Sequence, residues 1–317
     1  MGIGMLLAAL VVGAAGPAYL RRAVDAAARP GVTLGAWIGT GVVFVTLLVA
    51  APVVMHVQPL RGFAPAATAV TACATMFDPA ASGVWPAAVR GVVVAVAVVA
   101  AVSAVTVVVA AKSRARRSAR AHARSLRSLV EATDHVDGVR VWWIADDEPV
   151  AYALPGAATR GFPGVGRRSP ASCGGTVVAS TALWDLGEER RRAVLDHEIA
   201  HLRGRHHVAV TSAAALRTVF SPVPLLRRAA AEVSVLAELA ADRRAALGAG
   251  GAAAVRGALG ELGAPAGRVA VLSSVPAGPR GTGPGLALAL VHAVSPAAVS
   301  AAAATTLVLG MCSALAG

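Results

Sequence analysis

Charge is scarce in this sequence. Only 15% of its 317 residues are Asp, Glu, Lys or Arg, whereas 56% are hydrophobic, and the mean hydropathy is +0.66. Ordinary soluble domains carry about 25% charged residues, so the composition argues against that class and points to a membrane protein. Cysteine is scarce too. Cys73, Cys173 and Cys312 stand far apart with no CxxC spacing, which supports neither a disulfide framework nor a cysteine-bound metal. A phosphate loop is also missing: Gly161, Gly164 and Gly166 are not followed by a helix that opens on Lys-Ser or Lys-Thr.

What is abundant is long apolar sequence. Ile3 to Leu20, Leu34 to Met55, Gly91 to Ala111 and a run within Gly285 to Leu315 carry no formal charge. Each approaches the roughly 20 residues that a helix needs to cross a bilayer. The first run is followed by "RRAVDAAARPG" rather than a clear cleavage site, so it reads as an anchor and not a signal peptide. Arg21, Arg22 and Arg29 follow the first run, only Arg61 and Arg90 lie between the second and third, and "KSRARRSARAHARSLRS" follows the third. Basic loops stay in the cytoplasm. The expected protein is therefore multi-pass in the cell membrane, with both termini outside.

The division that follows is a membrane region of three transmembrane helices in residues 1–111 (about 3–20, 34–55 and 91–111), then a basic juxtamembrane segment, 112–128. A folded cytoplasmic domain occupies 129–283 and a last transmembrane helix 285–317. The basic segment has no interleaved aromatics for stacking on bases. Membrane lipids with anionic headgroups are its expected partner, and direct nucleic-acid binding is not expected.

Inside the domain, "GVRVWWIADD", "EPVAYALPG" and the Thr176, Val177, Val178, Ala179 run read as strands, with a loop over residues 157–175. A helix then starts with a capping-box spacing, Asp185 and Glu188, and stops at Gly204. On it lies "RRAVLDHEIAHLRGRHH", residues 191–207. His197 and His201 are four apart, so at about 3.6 residues per turn both imidazoles share one face. Glu198 sits beside that face, where it can reach a water that the metal would activate. This is the HExxH arrangement of zinc peptidases.

Zinc in hydrolases takes three protein ligands and keeps one position open. On a continuing helix His206 would point nearly opposite His197, so His206 and His207 read as exposed or supporting groups. A better donor lies in "AEVSVLAELAADRRAA", where Glu238 and Asp242 are again four apart on a mostly apolar helix. Carboxylates there need partners. Glu238 as ligand, with Asp242 accepting the distal N–H of a zinc-bound histidine, satisfies both. Glu232 points elsewhere, and the competing reading is an acidic pair held by Arg243 or Arg244.

Together, "STALWDLGEERRRAVLDHEIAHLRGRHH" and "ELAADRRAA" resemble the integral-membrane zinc metallopeptidases of the BlaR/MecR type, which are related to the HtpX and CAAX-prenyl proteases. The resemblance is specific over about residues 139–246. It implies one zinc ion per chain held by His197, His201 and Glu238, with Glu198 as catalytic base and Asp242 in support. The implied fold is a multi-pass α-helical membrane protein with a cytoplasmic α+β zincin-like metallopeptidase domain. The implied partner is a protein substrate, either a membrane protein or a cytosolic repressor. No SxxK-like motif follows the last apolar run, so a penicillin-binding sensor domain and direct β-lactam sensing are not expected.

Two further expectations concern the surroundings of the site. The strand Thr176 to Ala179 is expected to offer a free edge that holds substrate as an added strand. The segment "HVAVTSAAALRTVFSPVPLL", residues 207–226, is nearly as apolar as a span, but Pro222 and Pro224 interrupt it, and a single crossing would return Glu238 to the wrong side. It is expected to pack on the domain or lie in the membrane interface. Three functions fit: regulatory proteolysis, membrane-protein quality control, or a non-catalytic zinc-bound sensor. Glu198 speaks against the third, because a structural zinc site needs no base.

Overall fold

Runs of Ala, Val and Leu without breakers form helices that must bury or solvate an apolar surface on all sides. In the computed structural model, which describes residues 2–56, 87–156, 175–248 and 250–273, three helices are long and apolar enough to cross a membrane. They are α1 (Gly2–Ala23), α2 (Pro30–His56) and α3 (Ala87–Leu126), and they contain the three spans read from the sequence. The fourth apolar run and the loop around Gly161 to Gly166 lie outside the described residues. In the turn between α1 and α2, Asp25 accepts the backbone N–H groups of Ala27 and Ala28 at 2.9 and 3.0 Å.

The basic segment is not a separate linker. α3 runs unbroken for 40 residues, through Lys112 to Leu126, because Ala and Arg are strong helix formers. Its last turns are also gripped by the folded domain: Ala123 and Leu126 are buried with Trp142, Ile144, Leu154 and Val178. His122 Nε2 meets the Tyr152 hydroxyl at 2.7 Å.

The sheet has four strands in the order β1-β2-β4-β3. β1 (Val130–Val136) and β2 (Val139–Ile144) form a hairpin through Asp137 and Gly138, whose φ values of 51° and 75° are those of a tight primed turn. β4 (Thr176–Ser180) pairs parallel to β2 on one side and antiparallel to β3 (Ala151–Leu154) on the other. This corrects one expectation. All of β4 is buried and paired on both sides, so Thr176 to Ala179 are not an edge and have no hydrogen bonds left for an added strand. Among the described residues, the edge strand on that side of the sheet is β3.

After a 3-10 turn, Thr181–Leu186, come α4 (Glu188–Arg203), α5 (His206–Val219), α6 (Pro224–Ala246), α7 (Gly251–Glu261) and α8 (Ala266–Ser273). α4 lays Val194, Leu195, Ile199 and Leu202 on Val139, Val141, Trp143, Val177 and Leu183. The capping box does not form. Asp185 is taken into the 3-10 turn, and the helix starts after Gly187, at φ 79°, with no side-chain cap. Its end is at Gly204 as read, but Arg205 takes the left-handed conformation, at φ 50°.

Residues 207–226 also depart from expectation. Rather than lying on the domain, they form a helical hairpin packed among the apolar helices. Phe220, Leu225, Leu226, Ala229, Val233 and Leu236 share one buried cluster with Val12, Leu20, Trp37, Phe44 and Ala104. At its tip Phe220 meets Phe44 edge-on at 6.0 Å, and a Cβ on Gly13 would stand 3.1 Å from Val223. Gly13 and Phe44 lie midway along α1 and α2, so the hairpin enters to that depth and turns back. Entering and leaving on one side returns Glu238 to the domain. Small residues make the groove, and Leu225 fills it beside Gly16 and Thr40.

Leu225 is fully buried, so Leu225→Ala should cost about 2–5 kcal/mol of stability. Leu247→Ala, at an exposed position, should stay within about 0.5 kcal/mol. Unfolding of the detergent-solubilised protein checks both; equal effects would contradict the packing described.

Candidate metal centre

Two helices build the site. α4 turns its apolar side to the sheet, which leaves His197 and His201 facing α6, and α6 turns Glu238 and Asp242 back toward them. His197 Nε2 and His201 Nε2 lie 3.0 Å apart, and the Glu238 carboxylate oxygens stand 3.5 and 3.4 Å from them. Donor atoms of these three residues all fall within 4.8 Å of one another, the one such grouping among the described residues. Glu232 is not part of it.

The spacing fits zinc. Bonds of roughly 2.0–2.1 Å in a tetrahedral site place neighbouring donors ~3.3 Å apart. The outer nitrogens are occupied as well. His197 Nδ1 donates to Asp242 Oδ1 at 2.9 Å, and His201 Nδ1 meets His206 Nδ1 at 3.1 Å. Both Nε2 atoms are thereby turned inward. Of the two histidines read as exposed or supporting, His207 is exposed and His206 is buried against His201. The helix does not continue past Gly204: the left-handed Arg205 swings His206 back over the site. A Cβ on Gly204 would run into the His206 ring.

Arg243 does not hold the acidic pair; it donates to the carbonyls of Ala27 and Ala28. The cation that does is Arg268 on α8. Its Nε and one terminal nitrogen reach the two Asp242 oxygens at 2.8 and 2.6 Å, and the other terminal nitrogen stands 3.2 Å from Glu238. No local spacing in the sequence marks Arg268, which lies a whole helix beyond α6.

Electrostatics follow from burial and these contacts. Burial pushes Glu198 up to about 7, restrained by the nearby His197 charge and by the Ala153 N–H that donates to its carboxylate. Burial disfavours the His197 cation, but hydrogen bonds to Asp242 and Glu238 carry it up to about 9. Burial and the His197 charge take His201 down to about 4. Asp242 stays below the usual carboxylate range despite its burial, because Arg268 and His197 both donate to it. With Glu198, Glu238 and Asp242 ionised against Arg268 alone, the site is two positive charges short. A divalent cation would supply that difference.

Residues 170–257 match the family model of peptidase family M48. The matched segment, well under half of the chain, contains β4, α4, α5 and α6 and therefore His197, Glu198, His201, Glu238 and Asp242; it stops before Arg268. It is similar to a metallopeptidase. Searches of curated proteins and of solved structures returned no match.

A proton should leave when zinc enters. His197 is protonated below about pH 9 in the metal-free site and must be neutral to ligate. Zinc binding at pH 7.5 should therefore release about one proton, and apparent affinity should rise up to about tenfold per pH unit as pH approaches 9. Calorimetric titration in buffers of different ionisation enthalpy measures the release; none at all would contradict this account of His197.

Proposed function

We propose that the protein is a membrane-bound zinc endopeptidase that cleaves peptide bonds close to the cytoplasmic face of the membrane. In this reading His197, His201 and Glu238 hold the ion, Glu198 is the general base and Asp242 orients His197. The observation that carries it is Glu198: a partly buried carboxyl beside the His197, His201 and Glu238 cluster, poised near neutral pH and accepting the Ala153 N–H of the edge strand β3. A structural metal site has no use for such a group.

Zinc, when bound, supplies a Lewis acid that makes water acidic near neutral pH and polarises a carbonyl. The chain's own residues do the rest. Glu198 accepts a proton from the attacking water and delivers it to the leaving amine, so that one water and one peptide bond become a carboxylic acid and an amine. Among the described residues Ala151 to Leu154 form the outer strand of the sheet, beside α4, and can align an extended substrate by main-chain hydrogen bonds.

The membrane setting rests on α1, α2 and α3, on the hairpin inserted among them, and on the exposed arginines where α3 leaves its apolar stretch. We place the domain on the cytoplasmic side, with both termini outside and a last span over 285–317. The site then lies at the bilayer surface, within reach of a membrane protein or of a cytosolic repressor brought there. The BlaR/MecR resemblance favours regulatory proteolysis. Similarity to family M48 leaves membrane-protein quality control as the second reading.

Purified protein in detergent should contain stoichiometric zinc and degrade an unfolded model protein such as casein. Glu198→Gln should lose activity by about 10²–10⁴-fold with its zinc retained, and Glu238→Ala should lose the zinc. Full zinc without cleavage by the wild type in detergent or in liposomes would turn the reading toward a zinc-bound sensor.

A further inference from the structure

We propose that Arg268 is a positioning residue of the metal centre: it sets Asp242 and Glu238 in the pose in which they serve the ion, and so makes α8 a working part of the site. The proposal rests on the metallopeptidase reading above. Asp242 is 1% exposed, so each of its two oxygens must find a donor. Arg268 occupies Oδ2 at 2.8 Å and shares Oδ1 with His197, at 2.6 and 2.9 Å. A two-toothed contact of this kind fixes the plane of the carboxylate, and with it the direction in which Oδ1 meets the His197 ring.

The same guanidinium reaches Glu238. Its third nitrogen lies 3.2 Å from Oε2, while Oε1 faces His201 at 3.4 Å. Glu238 and Asp242 are one turn apart on α6, where like charges repel. Arg268 bridges them and holds both oxygens toward α4. Without it, Asp242 would keep only His197 as partner, and Glu238 would be free to swing out, being the most exposed of the three donors.

This role is separable from the docking of α8. Leu272, fully buried among Ala193, Ala245, Val255 and Leu259, fastens the helix by its apolar side. Lysine could supply the charge but not the planar fork. The two functions of α8, anchoring and steering, can therefore be disturbed one at a time.

The test uses the full chain in detergent. Zinc affinity is read by competition with a chromophoric chelator, and ligand geometry by the visible spectrum of the cobalt(II)-substituted protein. Arg268→Gln should bind zinc about 10–100-fold more weakly with an altered cobalt spectrum. Arg268→Lys should recover only part of the affinity and not the spectrum. Leu272→Ala should lower the melting temperature and leave zinc affinity within about threefold of the wild type.

Wild-type affinity and spectrum in both Arg268 variants would overturn the proposal while leaving the metallopeptidase reading intact. So would a loss of affinity that merely follows melting temperature, as in Leu272→Ala. A wild type that takes up no zinc would overturn both. Absence of proteolysis bears only on the metallopeptidase reading, since neither readout requires turnover.

Discussion

The hydrogen bond between His197 and Asp242 ties the site together. A carboxylate taken almost wholly out of water is costly unless it is paired and hydrogen-bonded. Asp242 meets that demand with a histidine from α4 on one side and an arginine from α8 on the other. Three helices that share no sequence neighbourhood are thereby held to one point. Neither His197 nor Arg268 can shift without leaving the buried Asp242 carboxylate short of a partner.

The same helix carries this constraint into the apolar part of the molecule. α6 begins at the tip of the inserted hairpin, packs Leu225, Ala229, Val233 and Leu236 among α1 and α2, and ends where Arg243 grips the carbonyls of the α1–α2 turn. Glu238 and Asp242 lie on the stretch between. α3 makes a second join, since its last turns are buried against β2, β3 and β4. The domain is thus fused to the apolar helices at two places. A displacement of α1 and α2 along α6 would be felt at Glu238.

Much of the site was legible because helical periodicity is local. Four-residue spacing puts His197 with His201, and Glu238 with Asp242, whatever the rest of the chain does. Apolar length likewise sufficed for α1, α2 and the span part of α3. What was hidden depends on contacts distant in sequence or on breaks in regular structure. The parallel pairing of β2 with β4 moves Thr176 to Ala179 from the edge to the middle of the sheet. β1 was missed because it is mostly polar and exposed. His206 depends on one left-handed residue, and Arg268 on a helix that comes back to the site after α7. The hairpin was misjudged because a short, proline-interrupted helix resembles a surface segment until the glycines that receive it are known.

Charge balance links the metal-free site to the working one. Without a cation, His197 keeps a proton to about pH 9 because Asp242 and Glu238 both draw it, and that imidazolium partly makes up the missing positive charge. Burial then holds Glu198 up at about 7, so that near neutral pH it is only partly ionised. A divalent ion among the same donors would displace the His197 proton and add positive charge beside Glu198, which would favour its ionised form. In the proposed reading, ion binding and the ionisation of Glu198 are thus coupled through one shared deficit of charge, which Arg268, reaching both Asp242 and Glu238, helps to set.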